Sequence, residues 1–210
     1  MQKGLFIVFE GPDGAGTTTH ARLLEERLQR EGRGVLFTAE PTEGQYGKKI
    51  REALKGAPSS FTKASEDRRG APTPEELQQI FCVDRAEHVV TVIEPALQAG
   101  KVVVCDRYIP STLVYGEVSG VSQALLEEWN AEFPAPDLLF LLLPPFEAAW
   151  ERVRVRGVRD VFEQEQFQRK VYEGYKRYAL RYLKATVINT SRSEEESAGE
   201  IWGNVGKILG

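Results

Sequence analysis

The sequence comprises 210 residues, of which 41% are hydrophobic and 28% are charged, and its formal net charge at pH 7 is −4. This profile indicates one globular domain, over residues 1–210, with enough apolar mass for a core. The weak negative charge excludes a general attraction to nucleic acid or to an anionic membrane, so a polyanion would need a local cluster of cations. A small anionic ligand is therefore the expected partner.

Short apolar runs alternate with helical patterns along the chain. In chain order, the runs predict strands at residues 5–10, 35–40, 101–106, 138–143 and, most weakly, 186–190. The helical patterns cover residues 18–29, 74–99, 123–132, 146–154, 163–184 and 194–208. Strands without polar alternation are buried on both faces, as in a parallel sheet covered by helices. We therefore predict an α/β fold with a doubly wound, five-stranded parallel sheet flanked by helices.

The two cysteines and the absence of long apolar segments bear on location. Cys82 and Cys105 lie in apolar surroundings without a C-x-x-C pair or histidine spacing, which predicts buried free thiols in a reducing compartment. The apolar run near the N-terminus is too short for a signal peptide, and no later segment approaches eighteen apolar residues. We therefore expect a cytoplasmic protein.

A glycine-rich segment, GPDGAGTTTH, follows the first predicted strand. It matches the phosphate-binding pattern G-x-x-x-x-G-K-[ST] at Gly11, Gly16 and Thr18, but Thr17 stands where the pattern has lysine. Glycines let backbone N–H groups converge on phosphate oxygens, and the helix start adds its positive dipole end. The segment therefore predicts an ATP site, and the alternative is an ordinary glycine-rich turn. The expected ATP-binding residues are Gly11, Pro12, Asp13, Gly14, Ala15, Gly16, Thr17, Thr18 and Thr19.

The three threonines and the histidine in this segment have different expected roles. Thr18 occupies the position whose hydroxyl binds Mg²⁺ in such loops. Thr17 and Thr19 suit either the capping of free N–H groups or direct contact with phosphate. His20 is expected on the helix surface.

Further charged and aromatic residues stand near the other strand ends. Asp106 ends a buried strand, where its carboxylate is suited to organise a metal ion, and Arg107 beside it can meet a phosphoryl group. Phe81 and Arg85 are four residues apart, so on a helix they share one face and can stack on a base and hydrogen-bond its edge. Taken alone, each has a simpler interpretation: core packing for Phe81, and an ion pair with Asp84 or Glu87 for Arg85.

Together, five groups of residues in chain order resemble the thymidylate kinase family of P-loop nucleoside monophosphate kinases. The resemblance covers nearly the whole chain and is strong because each group stands at the expected element end. The matching residues are Glu10 to Gly16; Glu40, Pro41, Gly47, Ile50 and Arg51; Phe81 to Arg85; Asp106, Arg107, Tyr108, Ser111 and Tyr115; and Arg152, Arg156, Gly157, Asp160, Phe162, Glu163, Glu173, Gly174 and Tyr175.

The resemblance implies transfer of the γ-phosphoryl group of ATP to dTMP with Mg²⁺, and a homodimer. Asp13 would contact the deoxyribose 3′-hydroxyl and the water shell of the metal, while Thr18 and Asp106 would serve the metal itself. Arg51 and Arg107 would hold the acceptor phosphate. The other residues that it implies for the acceptor are Phe81, stacked on thymine; Arg85, bonded to the base; Tyr115, crowding the 2′ position; and Glu40, Ser111 and Thr112.

An arginine-rich stretch offers a substitute for the lysine. Gly14 after Asp13 resembles the bacterial type of the family, which supplies catalytic arginines from a lid, here at about residues 150–162. A helix would align Arg152, Arg156 and Arg159, whereas an extended chain would align Arg152, Arg154 and Arg156. Our hypothesis is that the lid arginines, with Arg107, replace the charge of the lysine. The alternative is a solvated basic edge.

Two other functions stay open. One is a kinase of the same fold that acts on another nucleotide or on a nucleoside, since Gly116 stands where many relatives have glutamine and residues 56–73 predict either a mobile loop or a binding loop. The other is a nucleotide-binding protein without transferase activity, which the substitution of the lysine invites.

Overall fold

The computed structural model describes residues 4–56, 72–156, 165–182 and 184–210. Within these residues, five parallel strands form one sheet in the order β2-β3-β1-β4-β5. The strands are β1 (Leu5–Glu10), β2 (Val35–Ala39), β3 (Val102–Asp106), β4 (Leu138–Leu142) and β5 (Ala185–Ile188). All five predicted strands are confirmed to within two residues at either end. The order, with β1 at the centre, makes the loop after β1 the middle of the carboxyl edge.

Helices cover both faces of the sheet. They are α1 (Thr17–Arg30), α2 (Gln45–Gly56), α3 (Pro74–His88), α4 (Glu94–Gln98), α5 (Ile109–Val118), α6 (Gln123–Asn130), α7 (Phe146–Arg156), α8 (Glu165–Arg181) and α9 (Glu194–Leu209). A π-helical turn (Val89–Ile93) joins α3 to α4, so the helix predicted over residues 74–99 runs through an irregularity. The irregular turn lies just before Pro95, which has no N–H to continue an α-helical ladder.

Alternate residues of β1 pack into two apolar layers, one on each face of the sheet. Ile7 and Phe9 pack with α1 and α9 on one side, whereas Phe6 and Val8 pack on the other side with the turn between α3 and α4. These four side chains are at most 1% exposed. Burial on both faces is the property that the unbroken apolar runs predict.

Two helices lack a prediction from sequence. The residues of α5 are apolar on nearly all sides, and six of its ten residues are buried, so no amphipathic period marks it. In α2, Gly47 packs so closely that a Cβ there would lie 1.8 Å from the carbonyl oxygen of Thr42. Glycine is a poor helix former, and its place here depends on this tertiary contact.

Side-chain hydrogen bonds fix the N-terminal ends of α3 and α9. Thr73 accepts a hydrogen bond from the backbone N–H of Glu76, whose carboxylate accepts one from the N–H of Thr73. Ser193 and Glu196 form the same reciprocal pair at α9. Such capping boxes satisfy N–H groups that would otherwise be unpaired in the first turn.

Three other expectations have different outcomes. Both cysteines are free; Cys105 is buried as predicted, but Cys82 is only half-buried on α3. Most of the predicted loop at 56–73 lies outside the described residues, as does the end of the predicted lid. In the described part of the chain, no helix has both the length and the apolar character needed to cross a membrane.

Candidate active site

The carboxyl ends of three neighbouring strands bring the candidate residues together. Phe9, Ala39 and Asp106 stand in register across β1, β2 and β3. The backbone N–H of Arg107 then donates to the carbonyl of Phe9, and that of Glu40 to the carbonyl of Asp106. The residues that follow these three strands therefore lie side by side at the carboxyl edge of the sheet, where ligands bind in such folds.

The loop between β1 and α1 has the conformation of an anion-binding turn. Gly14 and Gly16 have φ angles of 79° and 89°, in the left-handed region that favours glycine. Thr190 also holds the turn, because its hydroxyl donates to the carbonyl of Ala15 over 2.7 Å. Pro12 and Ala15 are buried, and the N–H of Ala15 donates to the carbonyl of Pro12 at 3.1 Å, while Thr18 and Thr19 are exposed at the start of α1. Thr17 is buried at that helix start.

Gly14→Ala should disturb this loop strongly. A Cβ at residue 14 would lie 2.1 Å from the carbonyl oxygen of Ala149, and the left-handed φ adds strain. We expect the free energy of unfolding in urea to fall by about 2–3 kcal/mol. The matched control is Gly203→Ala, since a Cβ in α9 at that point meets nothing within 4 Å. An equal response of the two variants would contradict a close-packed loop.

His20 corrects the expectation of a surface histidine. Its side chain is buried, and its Nδ1 lies 2.9 Å from the carbonyl oxygen of Gly16. The ring therefore folds back on the loop one helical turn before it, which a helix-surface interpretation did not anticipate.

Asp106 and Thr18 form the candidate metal position. The hydroxyl of Thr18 donates to Oδ2 of Asp106, and Oδ1 of the same carboxylate has no partner among the described residues. Hard oxygen donors of this kind suit Mg²⁺. The described part of the chain contains no cluster of three or more His, Cys, Asp or Glu side chains arranged for a metal ion.

Arg107 lies at the junction of two cavities. Its Nη2 donates to Oδ1 of Asp13 at 2.5 Å, and its Nη1 donates to the carbonyl of Gly11 at 3.1 Å and to the hydroxyl of Ser111 at 3.3 Å. Its φ of 70° is unusual for a residue other than glycine, and such backbone strain clusters at functional sites. The other carboxylate oxygen of Asp13 accepts from Nε2 of Gln168 at 2.7 Å.

Glu10 organises the turn that carries Arg107. Its buried carboxylate accepts from the backbone N–H groups of Tyr108 and Ser111, and from the hydroxyls of Ser111 and Tyr175. Burial raises the pKa of the Glu10 carboxyl, while the charge of Arg107 and these hydrogen bonds lower it in part. Three of these four donors fix the chain from residue 108 to residue 111 against the end of β1, and the fourth ties α8 to the same carboxylate.

The loop between β1 and α1 lines one cavity, which extends to α7. Its lining includes Thr17, Thr18, Arg107 and Arg152. Arg152 donates to the carbonyl of Gly14 at 3.2 Å and to that of Thr190 at 2.6 Å. A guanidinium group therefore lies against the loop in which Thr17 replaces lysine. The helix continues to Arg156, as the helical alternative requires, but the side chain of Arg156 and all of Arg159 lie outside the described residues.

The second cavity has a volume of about 160 Å³ and an aromatic wall. Asp13 and Arg107 line both cavities. The other described residues around it are Glu40, Pro41, Leu54, Gln78, Phe81, Arg85, Tyr108, Ser111, Thr112 and Tyr115. Burial, and next the charge of Asp13, raise the pKa of Tyr115 well above its usual range, so its phenol stays protonated. The mixed polar and aromatic lining suits a small organic ligand.

Arg85 is held by a buried network, and its partners differ from the two simple expectations. Nη2 and Nε of Arg85 lie 2.7 Å and 2.9 Å from Oε2 of Glu40, and Nη2 also donates to Thr112 at 3.1 Å. Nη1 donates to Asn130. Among the described residues, acceptors therefore exist for four of its five N–H groups. Asp84 instead accepts from the N–H and the hydroxyl of Thr42.

Glu40 is the anion of this network, and its removal should be costly. Besides Arg85, its carboxylate contacts Nδ1 of His88 at 3.0 Å, and its side chain is 3% exposed. In Glu40→Ala, the guanidinium of Arg85 would be buried without its counter-charge, and we expect a loss of about 3–5 kcal/mol in the free energy of unfolding. Urea denaturation measures the loss.

Glu43→Ala is the matched control for this prediction. Glu43 also pairs with an arginine, Arg51, at 3.0 Å, but its side chain is 91% exposed. Exposed pairs contribute little, so stability should hardly change. A small loss in Glu40→Ala, similar to that of the control, would show that the buried pair does not hold the fold.

Arg51 has a different position from the other expected acceptor residues. It is not among the described residues that line the aromatic cavity. Its guanidinium donates to the carbonyls of Pro41 and Thr42, at 3.0 Å and 2.7 Å. It therefore stabilises the turn after β2, next to Glu40.

Several polar residues of the site carry no motif that identifies them from sequence. Gln168 contacts Asp13 from α8, and Asn130 contacts Arg85 from α6, across 155 and 45 residues respectively. Glu10 belongs to a matching segment and His88 lies three residues beyond one, but neither the apolar run around Glu10 nor the helical position of His88 indicates these contacts. Only the packing of distant elements brings them to the site.

These features define a class of protein. A parallel sheet with a glycine-rich loop between its central strand and a helix, and with Asp106 and Arg107 at the next strand end, is the arrangement of P-loop nucleotide-binding proteins. The family model described as Thymidylate kinase matches residues 9–201. The chain belongs to the thymidylate kinase family.

Relatives support this assignment over nearly the full length. A probable thymidylate kinase from Pyrococcus abyssi is 39% identical over 196 residues, which cover 92% of each chain. A probable thymidylate kinase from Methanocaldococcus jannaschii is 34% identical over 99% of each chain. A thymidylate kinase from Desulfotalea psychrophila is 34% identical over 98% of this chain and 96% of its own.

Proposed function

We propose that this protein transfers the γ-phosphoryl group of ATP to dTMP. A phosphate oxygen of dTMP forms a bond to the γ-phosphorus, the bond from that phosphorus to the β,γ-bridging oxygen breaks, and dTDP and ADP result. The observation that carries the proposal is the meeting of the two cavities at Asp13 and Arg107. Phosphoryl transfer depends on the alignment of donor and acceptor and on cations near the transferring group.

The cavity at the loop is the proposed ATP site. Backbone N–H groups of the loop's glycines and of the first turn of α1 would hold the phosphates, because the left-handed glycines and the helix start direct positive dipole ends to this cavity. Thr18 and Asp106 fit Mg²⁺, since one carboxylate oxygen is without a described partner beside a hydroxyl. When bound, Mg²⁺ would neutralise charge on the phosphates of ATP.

The aromatic cavity is the proposed dTMP site. Phe81 would stack on thymine, and the N–H group of Arg85 that has no described acceptor would bond to its edge. Tyr115 would exclude a 2′-hydroxyl. The rigid pairing of Arg85 with Glu40 gives Glu40 a positioning role, and Thr112 shares it.

Arg107 is the proposed clamp on the acceptor phosphate, with Asp13 and Ser111 fixing its orientation. Arg51 would support the clamp through the turn after β2, as it donates to two carbonyls there. Asp13 also lies where it can meet the deoxyribose 3′-hydroxyl and water around the metal.

Arginines of α7 and beyond are proposed to supply the charge that lysine provides in the usual loop. Arg152 is supported by its bond to the carbonyl of Gly14, at the loop itself. Arg156 and Arg159 follow at helical spacing and complete the proposed lid. A guanidinium group cannot lose its proton at neutral pH, so it is suited to this purpose.

A product assay tests the proposed function. Purified protein is incubated with Mg-ATP and, separately, with dTMP, dUMP, UMP, CMP, AMP or thymidine, and the products are separated by ion-exchange chromatography. We expect turnover to be highest with dTMP. Preference for another acceptor would replace the substrate assignment, and binding of ATP without any product would contradict a transferase.

A homodimer and a cytoplasmic location are part of the proposal, together with a single kinase domain over residues 1–210. Exposed apolar side chains on one side of α3 and the following turn, Val83 and Val90, which are 44% and 65% exposed, support a contact with a second copy. The free thiols suit a reducing compartment. Sedimentation analysis tests the dimer: a wild-type monomer would contradict it, and Val83→Glu should weaken a dimer.

A further inference from the structure

Gln78 is a buried polar residue in the wall of the aromatic cavity. Its side chain is 2% exposed, and its Oε1 has no hydrogen-bond partner among the described residues. A buried amide oxygen without a partner is costly, whereas an apolar side chain of similar size would fill the space without that cost. The oxygen therefore suggests a partner that arrives from outside the chain.

Glycine at residue 116 makes room for this side chain. A Cβ at Gly116 would lie 3.2 Å from Cγ of Gln78 and 2.7 Å from the side chain of Leu126. A larger residue in α5 would therefore press on both neighbours. The absence of a side chain at Gly116 therefore leaves room for Gln78 in the wall of the aromatic cavity.

Three cavity residues share one face of α3. Gln78, Phe81 and Arg85 are related by i, i+3 and i+7, which places them along one line on a helix, and all three line the cavity. Phe81 offers a ring to stack on a base, and Arg85 offers only donors. Gln78 contributes an acceptor to the same line of residues.

We propose that Oε1 of Gln78 accepts a hydrogen bond from the N3–H group of the acceptor base. This inference rests on the proposed function, because thymine has a single N–H group once its N1 carries the sugar. An acceptor in the wall can therefore pair only with N3–H, while the donors of Arg85 can pair only with the carbonyl oxygens. The last torsion of a glutamine is soft, so the amide can turn to meet the base.

Gln78→Met removes the acceptor while keeping an unbranched side chain of similar length. The wild-type protein and the variant are each assayed with dTMP and with the N3-methylated derivative of dTMP, which lacks the N3–H donor. Wild-type protein should prefer dTMP in kcat/KM, and Gln78→Met should reduce that preference by about 10-fold, chiefly through a higher KM for dTMP. A purely structural role would lower activity with both substrates alike.

Gln79→Met is the matched control, because the neighbouring glutamine on α3 is exposed. It should keep the wild-type preference and KM. Thermal unfolding checks that each variant is folded. If Gln78→Met is not folded, Gln78→Asn serves in its place, since it keeps the amide but withdraws it by one methylene, and the same loss of preference is expected.

The outcomes separate this inference from the proposed function. A folded Gln78 variant that keeps the full preference for dTMP would overturn the role of Gln78, although wild-type turnover of dTMP would still support the kinase. A wild-type protein that forms no dTDP would instead contradict the proposed function itself. A preference that falls only in the Gln78 variants would support the inference.

Discussion

Arg107→Ala should lower kcat/KM for dTMP by about 10³- to 10⁵-fold, the range known for arginines that stabilise a transferring phosphoryl group. Arg107 lines both cavities, and its guanidinium donates to Asp13, to the Gly11 carbonyl and to Ser111. The substitution removes a cation from the region where donor and acceptor phosphates would meet. It also removes the ion pair with Asp13, whose other carboxylate oxygen still accepts from Gln168.

Arg107→Lys separates charge from geometry. Lysine keeps the positive charge but lacks the planar fork that reaches two or three acceptors at once, so most of the loss should remain. Arg177→Ala is the control, since Arg177 forms an exposed pair with Glu117 at 3.3 Å, away from both cavities. Steady-state kinetics measure these effects. Wild-type kcat/KM in Arg107→Ala would show that the clamp is assigned to the wrong residue.

Arg152→Ala should lower kcat by about 10²- to 10³-fold, the usual effect of removing one preorganised donor from a charged transition state. The guanidinium lies against the loop, bonded to the carbonyls of Gly14 and Thr190. Thr17 cannot supply a charge in its place. The position of Arg152 therefore predicts a role in the chemical step rather than in the binding of dTMP.

Arg154→Ala is the matched control on the same helix, because Arg154 pairs with exposed Glu151 at 3.1 Å and is itself 58% exposed. Its kcat should stay near the wild-type value. In the double variant Thr17→Lys with Arg152→Ala, the restored lysine should recover part of the lost rate. No recovery, together with an unaffected kcat in Arg152→Ala, would contradict substitution of the lysine by this arginine.

The parts of the fold that sequence predicts best are those with a local physical cause. Unbroken apolar runs predicted the strands because burial on both faces removes alternation. The sequence does not predict helices α2 and α5, because their positions depend on tertiary contacts. In α2, Gly47 packs against Thr42, and α5 is buried on nearly all sides. The local pattern of apolar and polar residues does not indicate such tertiary contacts.

The candidate site divides in the same way. The sequence predicts the glycine loop, Asp106 and Arg107 because each stands at a strand end, where ligands bind in this fold. It does not predict the partners of Arg85, since Glu40 and Asn130 are each 45 residues away in sequence. The surface position predicted for His20 is wrong because its ring packs against the carbonyl of Gly16, a contact that the helical pattern does not indicate.

A crystal structure of the protein with Mg-ADP and dTMP tests the central claim most directly, that two cavities joined at Asp13 and Arg107 hold donor and acceptor for direct transfer. We expect the β-phosphate of ADP against the backbone of the loop at residues 11–18, thymine on Phe81, and Arg107 at the phosphate of dTMP. Density for ADP elsewhere with the loop empty, or for dTMP outside the aromatic cavity, would contradict it.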